Sequence, residues 1–253
     1  MPILFGLLGW LIGAFAAHAA EAIMKRQPLK RPACPYCESP YGVLQWSALL
    51  ALLTGQRSCR QCAKPFRTPR LLGELFLAVC WGVLVARYGF FWRVLVGMIA
   101  LIPLEMILVT DLEVKLVPNL IMLPSIAVML VVGVLIGPAI PTPRNWTWWM
   151  ALAGAGSAFV LLRLLVWLGV AVFGEGALGE GDITLSTYIG AMLGFPLVLE
   201  ALLLAFLLGG VGAAAVLATK RGGLNTAIAY GPYLILGAAL TLIYAQEIVQ
   251  LIF

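Results

Sequence analysis

Charge is what this chain has least of. Of 253 residues only 11% are charged, 11 acids against 16 Lys and Arg, and there is a single histidine. A soluble domain carries about 25% charged residues, so the shortage excludes a chain folded in water throughout. It also leaves no room for a large separate soluble domain. Three further absences narrow the reading. The first apolar run, Pro2 to Ala20, has no basic n-region and no clear cleavage site, which argues for a retained helix over a removable signal peptide. No internal repeat of the transporter kind is visible, which weakens a proton-relay transporter. No glycine-rich nucleotide fingerprint is present.

What is there instead is apolar: 62% hydrophobic residues and a mean hydropathy of +1.03. A helix needs roughly 20 apolar residues to cross the hydrocarbon core. Spans are predicted at 2–23, 71–88, 90–110, 118–137, 147–173, 183–195, 197–218 and 229–252, the sixth being short. Gly194-Phe195-Pro196 reads as a turn between the sixth and seventh. The expected fold is all-α, a polytopic membrane helix bundle of about eight spans with a small cytoplasmic zinc-binding lobe. Its expected parts are a first transmembrane helix (1–24), the lobe (25–70) and a transmembrane core (71–253).

The few charges are unevenly placed. Nine of the 16 basic residues lie between Lys25 and Arg70, where the only acid is Glu38. By the positive-inside rule this loop is cytoplasmic and the N-terminus is outside. Eight spans then put the 111–117 and 174–182 connections, and the loop holding Lys220 and Arg221, on the cytoplasmic side too. Contact with the lipid bilayer, including anionic lipid, accounts for the basic loop; no nucleic acid partner is expected.

Within that loop stand Cys34-Pro35-Tyr36-Cys37 and, 21 residues on, Cys59-Arg60-Gln61-Cys62. Two Cys-x2-Cys pairs offer four thiolates from two tight turns, the ligand set of a structural zinc site. A loop this short builds no core of its own, so a metal staple is physically sensible. A pair of redox motifs is the alternative. The apolar stretch Val43 to Leu53 is too short to span, and lies on the membrane surface or packs on the bundle. Lone Cys80 and His18 read as packing residues.

Two acids fall at the cytoplasmic ends of predicted spans: Asp111 closes the third and Asp182 opens the sixth. Ionisable groups at such places are costly and face a polar interior. Two carboxylates that meet share a proton, so one holds a water as base while the other polarises a carbonyl. Gly179 and Gly181, just before Asp182, allow close backbone approach. Two blander readings remain beside this: a helix cap for Asp182 and a solvated helix end for Asp111. Deeper in the membrane, Glu105 and Arg163 form a candidate ion pair. Glu74, opening the second span, is placed to touch the lobe or a substrate. Gly9-x3-Gly13 permits close helix packing, within the bundle in preference to between copies. The oligomeric state is left unassigned.

These motifs resemble those of the prepilin peptidases, or type IV leader peptidases, in the Gly-x-Gly-Asp group of membrane aspartyl proteases. The resemblance covers most of the chain. It rests on the spaced cysteine pairs after the first span, on Thr68-Pro69-Arg70-Leu71-Leu72-Gly73-Glu74, on Asp111 through Pro118-Asn119, and on Gly179-Glu180-Gly181-Asp182. It implies that Asp111 and Asp182 are catalytic. It implies as substrates type IV prepilins or pseudopilins, cut at the cytoplasmic face of the bacterial inner membrane. For many members it implies methylation of the new N-terminus with S-adenosylmethionine. The chain departs from the family at Asn119 (commonly Asp), Glu113 (commonly Asp) and Thr184 (commonly Lys). After Gly13-Ala14-Phe15 the family's Leu-Asn is missing. The changes near the amino terminus bear on methyl transfer, and proteolysis is the firmer expectation. A non-enzymatic zinc-stapled membrane scaffold is the alternative.

Overall fold

The structure is a computed structural model, described here for residues 1–29, 31–34, 36–56, 58–139, 147–173, 179–219 and 229–252. The connections carrying Arg144 and Lys220-Arg221, most of 174–182, and Lys30, Pro35 and Arg57 lie outside the described residues. Among those described, every extended element is helical and the only β pairing is two isolated bridges. Six helices are long and apolar enough to cross a membrane. The chain is a polytopic helical membrane protein.

The chain divides into two compact units. The first comprises Met1–Gly89 and Leu101–Val114. Helix α1 (Pro2–Met24) packs on α3 (Thr68–Tyr88). Small residues set that contact: a Cβ on Gly9 would lie 2.7 Å from the Leu77 carbonyl oxygen, and one on Gly13 3.2 Å from the Glu74 Cα. The Gly9-x3-Gly13 pattern is thus spent inside one unit. Between α1 and α3 the chain forms the cysteine loop, with a 3₁₀ turn at Val43–Gln45 and a short helix α2 (Ala48–Leu53). Helix α2 rests on α3. Val43 and Leu53 remain 73% exposed, so the stretch both packs on the bundle and presents an apolar face. The second half of α4 (Trp92–Val114) completes the unit.

The second unit comprises Phe90–Ala100 and Lys115–Phe253. It holds α5 (Asn119–Ile136), α6 (Trp149–Phe173), α7 (Glu180–Leu193), α8 (Leu197–Ala218), α9 (Gly231–Ile243) and α10 (Ala245–Ile252). Helix α7 is the buried centre of this unit, packed by α5, α6, α8 and α9. Gly190 of α7 faces Gly154 of α6 so closely that a Cβ on either would collide with the other's backbone. Tyr188 in α7 is buried, and its hydroxyl donates to the Ala100 carbonyl at 2.7 Å.

Each of the eight predicted spans falls on a helix, but not all of them have crossing length. Helices α7 and α9 have 14 and 13 residues. At 1.5 Å per residue that is roughly 20 Å, against the ~30 Å of a hydrocarbon core. Helix α7 ends at Gly194, whose φ of 73° is left-handed, and the predicted turn follows it with a cis Phe195–Pro196 bond. The predicted eighth span is interrupted at Tyr244, between α9 and α10.

Candidate active site and metal centre

The lobe is built twice over. In the first knuckle the Cys34 amide donates to the Ser39 carbonyl and the Glu38 amide to the Cys34 carbonyl, both at 2.9 Å. In the second, the Cys59 amide donates to the Lys64 carbonyl at 2.9 Å and the Ala63 amide to the Cys59 carbonyl at 3.0 Å. Each knuckle is closed by a bridge, Ala33 with Pro40 and Ser58 with Pro65. The residue after each second cysteine turns left-handed, Glu38 at φ 57° and Ala63 at φ 55°. Everything recurs at an offset of 25 residues, including the aromatic pair Tyr41 and Phe66, whose rings meet across the two halves at 5.1 Å. That repeat was visible in the sequence as Pro40/Pro65 and Tyr41/Phe66, beyond the cysteines themselves.

The four sulfurs lie within 4.8 Å of one another. Cys34 and Cys62 approach to 3.6 Å, as do Cys37 and Cys59. A tetrahedron of thiolates at 2.3 Å from a metal has edges of about 3.8 Å, so this donor set fits a metal ion such as zinc. The protons are already unevenly shared. Cys59 is held down to about 6, first by the backbone N–H of Cys62 and then by the Ser39 hydroxyl. Cys62 ends at about 11: the Lys64 backbone N–H pulls it down, but burial and the neighbouring thiols outweigh that pull.

Glu74 fastens the lobe to the helices. It is fully buried. Its Oε1 accepts the Ala48 amide at 2.7 Å, and its Oε2 accepts the Leu49 amide at 3.0 Å and the Ser47 hydroxyl at 2.5 Å. The Trp10 indole donates to the same Oε2 at 3.2 Å and to Ser47 Oγ at 2.9 Å. The carboxylate thus satisfies the orphan amides at the start of α2, a site where negative charge is favoured. It touches the lobe, as its position in the sequence suggested. Nearby, Arg70 is buried, donates to the Trp46 carbonyl at 3.3 Å and lies 3.9 Å from Glu21.

Asp111 belongs to the first unit. It is buried in the last full turn of α4, which runs on to Val114 instead of ending before it. Two residues later Glu113 pairs with Arg67 at 2.9 Å. Asp182 belongs to the second unit and is half-buried in the first turn of α7. Its Oδ2 accepts the Gly179 amide at 3.3 Å, so Asp182 is the third residue of the helix reaching back to the cap position, which Gly179 holds in place of the aspartate anticipated there. Gly181 has a packing reason to be glycine: a Cβ there would lie 2.8 Å from the Val117 Cβ. Gly179 is exposed and nothing crowds it that closely.

The candidate pair of Glu105 with Arg163 does not form. Arg163 instead donates to Glu180 at 2.6 Å, both side chains being largely exposed. Glu105 is fully buried in the first unit, against Gly73, and neither of its oxygens has a hydrogen-bond partner. Depth along a helix does not reveal which way a side chain turns, and Arg163 turns toward the start of α7.

Fold and lobe together define a polytopic helical membrane protein with a cluster of four cysteines that could hold a metal ion. Residues 95–214 match the model of the Type IV leader peptidase family, which bears out the family resemblance seen in the sequence motifs. Both Asp111 and Asp182 lie within the matched segment. A prepilin leader peptidase/N-methyltransferase of Myxococcus xanthus is 29% identical over 227 residues, covering 87% of this chain and 64% of the relative. One of Pseudomonas putida is 27% identical, covering 88% and 76%. One of Pseudomonas aeruginosa is 24% identical, covering 96% and 90%. No solved structure matches the chain.

Proposed function

We propose that this protein is a membrane-embedded aspartyl endopeptidase that removes the leader from type IV prepilins or pseudopilins at the cytoplasmic face of the bacterial inner membrane. The observation that carries the reading is the family match over 95–214, which contains both aspartates in their motifs. The division into a first transmembrane helix (1–24), a zinc-binding loop (25–70) and a protease core (71–253) is part of the same proposal.

In this mechanism Asp111 and Asp182 share one proton. The ionised carboxylate takes a proton from water as the oxygen attacks the scissile carbonyl carbon. The protonated one gives its proton to the carbonyl oxygen. Collapse of the tetrahedral intermediate breaks the C–N bond, with one of the carboxyls returning a proton to the departing amine. Gly181, immediately before Asp182, leaves the backbone there without a side chain.

Zinc in the lobe is structural in this reading, since four thiolates leave no open coordination position. The metal, when bound, supplies a cross-link between the two knuckles. N-methylation of the new N-terminus with S-adenosylmethionine is proposed as a second activity, on the double name shared by the relatives.

The test is cleavage of a prepilin by the purified protein in lipid, wild type beside Asp111→Asn and Asp182→Asn. Loss of cleavage in each folded variant supports the pair. Cleavage persisting in either removes that residue from the mechanism, and the zinc-stapled scaffold becomes the better account. Methyl transfer is read separately, from the mass of the released pilin.

A further inference from the structure

One side chain in the first unit reaches both the metal lobe and the turn that carries Asp111. Arg67 stands at the joint where the second knuckle ends, after its Ser58–Pro65 bridge, and α3 begins. Its guanidinium carbon lies 5.5 Å from the ring centroid of Tyr36, which sits between the two cysteines of the first knuckle. The same ring carries the Lys64 ammonium at 4.3 Å. On its other side Arg67 donates from Nη1 to Glu113 Oε2 at 2.9 Å.

Glu113 is 3% exposed, and its Oε1 is buried with no hydrogen-bond partner. Arg67 therefore supplies the hydrogen bond that holds this carboxylate. Glu113 follows Asp111 by two residues, within one helical turn. An Arg fork set over one ring and fixed to one carboxylate loses rotational freedom, so the two ends of the contact move together.

We propose that Arg67 is a positioning residue: through Tyr36 on one side and Glu113 on the other, it couples metal loading of the lobe to the placement of the Asp111 turn. The proposal takes Asp111 as one of the catalytic pair, and so rests on the function proposed above. Thermodynamic reciprocity makes it testable without any cleavage, because whatever the metal does for Glu113, Glu113 must do for the metal.

The experiment uses the full chain in lipid nanodiscs and Zn²⁺ itself, with affinity measured by competition against a chromogenic chelator. Arg67→Ala and Glu113→Gln each lower zinc affinity by about 5- to 20-fold, the range of a typical coupling between sites. The double variant is no worse than either single, and Arg67→Lys recovers part of the loss, which also separates the effect from misfolding. Affinities equal to wild type overturn the proposal. So does a double variant whose loss is the product of the two singles. The second readout is prepilin cleavage: Glu113→Gln lowers kcat with KM unchanged, and zinc-stripped wild type shows the same kcat as zinc-stripped Arg67→Ala. A difference between those two stripped forms overturns the coupling. A wild type that cuts nothing sinks the protease reading and leaves the affinity measurement to decide the coupling alone.

Discussion

Among the described residues both units pack helices on glycine, but only the first also buries charge. In the first, Glu74 and Glu105 are fully enclosed and Arg70 nearly so, held among helices that also carry Asp111. In the second, α7 meets α6 backbone to backbone, Gly154 against Gly190, and α9 meets α8 in the same way, Gly237 against Ala201 and Ala205. Its prominent ion pair, Arg163 with Glu180, lies out in the open. Polar groups in an apolar setting are costly unless satisfied, but once satisfied they specify which helix turn meets which loop. Small residues specify how near two helices come, without regard to chemistry. The unit that holds the cysteine lobe in register uses both devices. A unit that must bury a short helix on all sides uses the second.

The largest break in this comparison comes from the metal. Cys59→Ser removes a ligand whose set is worth about 10–16 kcal/mol in zinc peptides. Zinc content falls to background, and the first unit loses protection in hydrogen exchange while α7 keeps its own. Acid does the same reversibly. Without metal, Cys59 sits at about 6 instead of its ordinary value, so the empty lobe offers that thiolate above this pH and loses it as the pH falls through it, which hinders recapture of zinc. Zinc release, followed with a chelating dye, accelerates from pH 7 to pH 5.

Next comes the glycine contact. Gly190→Val forces a side chain into the Gly154 backbone and costs about 3 kcal/mol of thermal stability in lipid, with zinc content unchanged. An unchanged melting temperature would mean that α6 and α7 are not in this contact.

A sharper and smaller test sets the two buried glutamates side by side. Glu74→Gln exchanges a carboxylate that accepts four hydrogen bonds for a neutral amide, and costs about 2 kcal/mol. Glu105→Gln disturbs no hydrogen bond, and is within about 0.5 kcal/mol of wild type. Melting curves of the two variants check the pair, and equal losses would remove the distinction. The smallest effect belongs to Arg163→Met. Both side chains of the pair are largely uncovered by protein, so the variant loses one ion pair and little packing, and melts near wild type.

Much of the architecture was legible because the chain's main signals are long and crude. Apolar runs ended by Gly137, Gly194 or a basic residue mark helices whatever their neighbours do, and all eight predicted segments are helical. The cysteine pairs carry their own geometry in their spacing. What the runs do not carry is rotation about each helix axis. Arg163 and Glu105 were matched by depth, yet Arg163 turns to Glu180 and Glu105 to Gly73. Nor does the sequence show that Arg67 and Glu113, 46 residues apart, would meet. Glu74 was a partial success: its place before an apolar run suggested a contact with the lobe. Its role as the N-terminal cap of α2 depends on how α2 lies on α3.

The doubled knuckle has a consequence for synthesis. The two halves are offset by 25 residues, and a ribosome adds roughly 5–20 residues per second. For about 1–5 s the first pair of cysteines exists without the second, holding half a coordination sphere. Glu74, which caps α2, is translated later still, as part of the next helix. Glu74 follows Cys62 by only 12 residues, so the fourth thiol and the carboxylate that docks the lobe leave the ribosome close together. The first knuckle waits alone, and its partner knuckle and its anchor arrive almost as one.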